Sequence, residues 1–219
     1  MTRPQAALEE NSPKCNVCTI EQAIPVREKQ EILGYNAKKA AQTIAYLAMK
    51  NGGKPLDVLK AVKLVYLADR ESIARYGFPI QDETRVSMPH GPVNSKTYSY
   101  IQGEQEQGVA DWSAYLQDRE NHMLALARDN ISVADLDELS EADVGVLDRV
   151  WDRFGPMGKW ELVRWTHDQA NLPEWEDPQG SSAPIPLALI MAYVGVPNVE
   201  AQAALVKDFD RIDSLFRAL

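Results

Sequence analysis

Between Pro55 and Gly77 the chain carries Leu59, Val62, Leu64, Val65, Leu67 and Ala68 at helical spacing, with no Gly or Pro inside the span. Proline suits the first turn of a helix and glycine its left-handed C-terminal cap, so Leu56–Tyr76 reads as one long central helix. Beyond it the pattern changes. Thr84–Met88 reads as a short strand ending in Pro89-His90-Gly91-Pro92, and a loop then leads to a short helix capped by Ser95, running through Ile101 and stopped by Gly103. Glycine tolerates positive φ and the following proline biases it toward extended backbone, so such a turn presents its backbone groups rigidly.

Around this centre the chain of 219 residues has ordinary globular composition, 45% apolar and 25% charged, enough for one sizeable core. Pro4, Pro13 and Pro25 interrupt any helical period near the start, so residues 1–33 are expected to form a flexible arm and residues 34–219 one domain. Asn36 is placed to cap a helix with the stripe Ala37, Ala40, Ala41, Ile44, Leu47 and Ala48, stopped at Gly52-Gly53. Trp112–Leu116 and His122–Ala127 are read as a β-hairpin, although Met123, Leu124, Leu126 and Ala127 also suit a helix. Ser140 and Asp143 match a capping box ahead of Val144, Leu147, Val150, Trp151 and Phe154, closed by Gly155-Pro156. Helices at Lys159–Asp168 and Pro186–Val194 flank a loop at Pro173–Pro184. Finally, Leu205, Phe209, Ile212, Phe216 and Leu219 form one apolar face of a C-terminal helix, expected to complete the domain's own core, with docking onto another chain as the alternative. The fold class is α+β: a predominantly α-helical single domain with a small antiparallel hairpin or sheet.

The net charge is −9, unevenly spread: residues 1–79 carry 12 Lys/Arg against 8 Asp/Glu, residues 80–219 carry 11 against 24. An acidic body repels phosphate backbones at long range, which argues against nucleic acid and favours a basic protein partner. Lys60, Lys63, Arg70 and Arg75 are interspersed with Asp69 and Glu71, a poor pattern for a DNA recognition helix. No segment has the apolar length of a membrane span, and the first residues lack the basic-then-apolar order of a secretory signal, so a cytoplasmic location is expected. Cys15 and Cys18 have metal-ligand spacing, but no second pair completes a zinc site.

His90 and His167 invite a rival reading, a small hydrolase with Asp168, Asp69 or Glu71 as proton-transfer partner. No nucleophile-elbow, metalloprotease or P-loop pattern accompanies them. Structural roles serve as well: His90 fixing the turn, and His167 bonding a nearby loop at the end of its helix.

Lys63-Leu64-Val65-Tyr66-Leu67-Ala68, His90-Gly91-Pro92-Val93 and Tyr98, followed in the block Leu162–Trp175 by Thr166-His167, Pro173 and Trp175, resemble the signature of the Panacea-domain family, the phage-associated SocA-like antitoxins. The interval from His167 to Pro173 is longer than the family's usual one, which implies an extra bend at Gln169–Leu172. The resemblance implies a non-enzymatic antitoxin that binds and neutralises a protein toxin, as a proteolytic adaptor delivering it to the ClpXP protease; direct inhibition by complex formation is the family's other route. The implied partners are that toxin and ClpX, with no cofactor and no metal. The implied partner-binding or site-shaping residues are Lys63, Tyr66, His90, Gly91, Pro92, Val93, Tyr98, Thr166, His167 and Trp175. Tyr66 and Trp165 suit the core equally well.

Overall fold

The computed structural model describes residues 35–105 and 107–217; the expected arm, with Cys15 and Cys18, lies outside the described residues. Helix α1, Ala37–Lys50, begins where Asn36 Oδ1 accepts from the Lys39 N–H at 2.9 Å. Its alanines let it lie close against its neighbours. Strand β1, Leu56–Asp57, leads into α2, Val58–Tyr76, whose start is fixed by the Asp57 carboxylate accepting from Leu59 N and Lys60 N. Pro55 therefore precedes the helix rather than opening it, and Gly77 closes it at φ +74° as its position demands.

Buried residues on α2 include Ala61, Val62, Leu64, Val65, Leu67 and Ala68, so its middle is enclosed while its last turn, Ala74–Tyr76, is exposed. It packs against α1, against α5 (Glu141–Phe154), α6 (Lys159–His167) and α7 (Leu187–Tyr193), and against the β-hairpin that follows it. The capping box at Ser140 and Asp143 is formed and starts α5 as expected.

The hairpin replaces the expected loop. Strands β2, Arg85–Met88, and β3, Gly91–Asn94, pair antiparallel with Val86 opposite Val93 and Met88 opposite Gly91, leaving Pro89-His90 as the two-residue turn. β3 lies at the sheet edge, where Pro92 gives up no ladder donor. β5, Ala183–Ile185, joins the other side of β2 within the stretch expected to be a loop. Helix α3, Ser95–Gln102, has Asn94 at its cap position rather than Ser95, and its cap bonds come from elsewhere: buried Glu83 accepts from Lys96 N at 2.7 Å and Thr97 N at 2.9 Å. Burial pushes the Glu83 carboxyl up to about 7, against the pull of its Thr97 hydrogen bonds.

The second hairpin is looser than expected. Trp112 sits in helix α4, Val109–Ser113, stacked on Tyr100 at 5.2 Å, because that aromatic contact decides a segment too short for its own period to settle. Main-chain bonds from Gln117 N to the Ala125 carbonyl and from Ala127 N to the Tyr115 carbonyl remain, while β4, Met123–Leu124, takes β1 as its ladder partner.

The C-terminal helix α8, Val199–Arg217, departs most from expectation. It docks through Val206, 3% exposed, through Gln202 Nε2 donating to the Gly77 carbonyl at 3.0 Å, and through an edge contact of Phe209 with Phe78. The rest of its apolar face stays uncovered, with Leu205, Phe209, Ile212 and Phe216 between 41% and 72% exposed. The core was already filled by α2 and its neighbours. Leu219 lies outside the described residues. The fold is α+β and mostly helical, and no helix among the described residues is long and apolar enough to cross a membrane.

Candidate functional site

Helix α2 carries polar side chains where its surroundings are apolar, and Lys63, Tyr66 and Asp69 are answered by the hairpin or by the loop after α6. Lys63, 1% exposed, donates from Nζ to the Pro92 carbonyl at 2.8 Å. That carbonyl belongs to the edge strand, so the lysine fixes β3 against the helix. Burial pushes the Lys63 amine down to about 7, because a charged ammonium loses its hydration there.

Gly91 makes this approach possible. At φ +95° it adopts backbone that other residues avoid, and a Cβ there would meet Thr166 Oγ1 at 2.7 Å and Lys63 Nζ at 3.0 Å. Thr166, itself fully buried, donates to the Val163 carbonyl at 3.1 Å. Gly91→Ala is expected to lower stability by about 2–3 kcal/mol, the strained φ and the clash acting together. Thermal unfolding checks this: adding Thr166→Ala recovers only the Thr166 part of the clash, and an unchanged melting temperature for Gly91→Ala would contradict the account.

His167 stacks on Trp175 with ring centroids 4.2 Å apart and planes 5° from parallel. Burial, then the neighbouring charges of Lys63 and His90, hold its imidazole below the ordinary histidine value. Trp175 in turn donates from Nε1 to the Met88 carbonyl at 3.3 Å, tying the loop to β2 just before the turn. The implied bend is present: Asn171 N and Leu172 N both donate to the Asp168 carbonyl at 2.9 Å. Two residues beyond Leu172, buried Glu174 accepts from Tyr66 Oη at 3.1 Å and from Arg70 Nε at 2.6 Å. Val93 is core, opposite Val86, and Tyr98 is half-buried on α3, away from the contacts just described.

A further buried cluster escaped the sequence reading as a unit. Asp69 and Arg85, each 2% exposed at the side chain, meet at 2.8 Å. Asp69 also accepts from Asn94 Nδ2 at 2.7 Å and from the Ile80 and Gln81 N–H groups, while Arg85 donates to the Glu83 and Gln81 carbonyls. The signal was present: Asp69 stands in phase with Val62, Val65 and Ile73, and a carboxylate on an apolar face requires a buried partner.

All these bonds hold the hairpin in place, and what they leave in solvent is its tip. Pro89 and His90 are exposed, and His90 meets Trp160, itself 54% exposed, edge-on at 6.0 Å. His167 Nε2 is buried without a hydrogen-bond partner among the described residues, and its ring is held in the stack on Trp175. The arrangement is suited to presenting a rigid knob. Among the described residues, no group of three or more His, Cys, Asp or Glu side chains is placed to share a metal ion.

The family model for SocA-like antitoxins, the Panacea domain, matches residues 62–176, from the middle of the first turns of α2 to the loop behind the hairpin. The chain belongs to that family. Neither the curated proteins nor the solved structures contain a match to this chain.

Proposed function

We propose that this SocA-like antitoxin acts without catalysis, by binding its cognate protein toxin, and that it delivers the toxin to the ClpXP protease. Family membership supplies the antitoxin role and a toxin as partner. The observation that carries the binding mode is the uncovered apolar face of α8, where Leu205, Phe209, Ile212, Leu215 and Phe216 all stand at 41% exposure or more. A contiguous apolar face of this kind on a domain with a filled core marks a protein-interaction surface. The occupant is the toxin, the partner the family implies.

An adaptor needs a second surface, because tethering raises the toxin's concentration at the protease without new chemistry. The hairpin tip with Pro89, His90 and Trp160 is one place for it, and residues 1–33, proposed as an arm outside the folded domain, are the other. A hydrolase using His90 and His167 is the rival. Against it stands the commitment of His167 to the Trp175 stack, while His90 is left at the surface beside another aromatic ring.

The test is a reconstituted mixture of toxin, ClpXP and ATP. Toxin is expected to be degraded only when the antitoxin is added, and more slowly when residues 1–30 are deleted although toxin affinity is kept. Undiminished toxin in the presence of antitoxin and protease contradicts delivery and leaves direct inhibition. Turnover of ester or phosphate substrates, lost in His90→Gln or His167→Gln, overturns the non-catalytic reading.

A further inference from the structure

A second feature lies where α2 packs on α5 and α6 and has no part in the toxin reading. A cleft of about 290 Å³ opens between α2, α5 and α6, and four guanidinium groups line it: Arg70 and Arg75 from α2, Arg149 and Arg153 from α5. In a chain of net charge −9 this is a local excess of positive charge. Two carboxylates answer the four arginines. Glu174 takes Arg70, and Glu71 takes Arg75 at 2.5 Å through Oε1.

Arg149 shares Glu71 with Arg75, and the charge of Asp148 also acts on it. Its Nε lies 3.4 Å from the same Oε1, an ion-pair distance without hydrogen-bond alignment, and both Nε and Nη2 are shut off from solvent with no hydrogen-bond partner among the described residues. The side chain as a whole is 37% exposed, so its outer edge reaches the open cleft while its inner nitrogens stay unsatisfied. Sheltered donors of this kind are rare in folded proteins and mark Arg149 as incompletely paired. Arg153 has no carboxylate among the contacts described. It lies over the rings of Phe154 and Trp165, 4.9 and 5.3 Å from their centroids.

We propose that this cleft is a binding site for a small phosphate-bearing ligand, its phosphate held by Arg149 and Arg153. Three features select that chemistry. Four guanidiniums against Glu71, Glu174 and the nearby Asp148 leave the cleft net positive, the complement of a phosphate monoester, which carries about −1.5 to −2 at neutral pH. The planar fork of arginine matches phosphate oxygens in pairs, and Arg149 and Arg153 both line the cleft, Arg149 with its outer edge in solvent. The aromatic wall of Phe154 and Trp165 beside the arginines gives the uncharged part of a ligand an apolar surface. A nucleic-acid strand is disfavoured by the acidic body, whereas a single dianion meets the local field of the cleft.

Titration calorimetry of the full chain with inorganic pyrophosphate tests the site. The wild type is expected to bind one equivalent saturably. Arg149→Gln and Arg153→Gln are each expected to weaken binding at least about tenfold, the loss of a charge-assisted contact. Glu71→Gln is expected to tighten it, because the carboxylate competing for Arg75 and Arg149 is gone; a merely structural role for Glu71 gives no such gain. Melting temperatures within a few degrees of wild type establish that the variants are folded, and Arg153, which holds no carboxylate, serves if Arg149→Gln is not. No binding at millimolar pyrophosphate overturns the proposal, as does equal affinity in both arginine variants. If pyrophosphate fails to bind while Arg149→Gln weakens the toxin complex, the cleft belongs to the toxin interface and the small-ligand site is refuted.

Discussion

Asp69→Ala lowers the stability of the domain by about 3–5 kcal/mol, the cost of leaving a buried charge without its partner. The carboxylate is 2% exposed and answers Arg85, Asn94 and two backbone N–H groups, so its loss strands several donors at once. For a chain of this length that amounts to a fall in melting temperature of roughly 10 °C. The double variant Asp69→Leu, Arg85→Met recovers most of the loss, because no charge is then left alone in the core. Chemical denaturation of the two single variants and the double one checks this. A loss within about 0.5 kcal/mol of zero for Asp69→Ala, the range of ordinary surface changes, would show that the pair does not hold the hairpin.

The Asp69 cluster also marks the boundary of what the sequence discloses. Helix ends governed by neighbours in sequence were legible: Asn36 caps α1, Gly77 closes α2, and Ser140 with Asp143 starts α5. These rest on bonds spanning a few residues. The N-terminus of α3 was not legible, since its cap comes from Glu83, a carboxylate 13 residues before Lys96 that reaches it only once β2 and β3 have paired. Strands β3 and β5 were missed for a related reason: Gly91, Pro92 and Pro184 read as loop, and only pairing with β2 on either side makes them strand. Of the site residues, Lys63, Gly91, Pro92, Thr166, His167 and Trp175 are gathered around one hairpin, and Tyr66 joins them through Glu174. Tyr98 is not drawn into those contacts. The four-arginine cleft had no local signal, because Arg70 and Arg75 meet Arg149 and Arg153 only through the packing of α2 on α5.

The apolar face of α8 was legible in its spacing but not in its fate, and its exposure underlies the second large effect. Replacing Ile212 and Phe216 by Asp weakens toxin binding at least about 100-fold, because central apolar anchors of an interface contribute about 2 kcal/mol or more each. The two side chains are 50% and 72% exposed, so the same change leaves the melting temperature near that of the wild type. Phe209 is kept, since it touches Phe78 and its loss would disturb the docking of the helix itself. Light scattering of the antitoxin alone separates a second occupant of the same face: a monomer leaves it free for the toxin, and a dimer that dissociates on the Asp substitutions means that the chain pairs with itself there.

The central claim, neutralisation by a toxin held on α8, is tested most directly by growth of cells that produce the toxin together with either form of the antitoxin. The wild-type chain is predicted to restore growth, and the Ile212→Asp, Phe216→Asp variant, folded and present at the same level, is predicted to fail. Restored growth with the variant, at unchanged affinity for the toxin, would contradict the claim and move the toxin surface elsewhere on the domain.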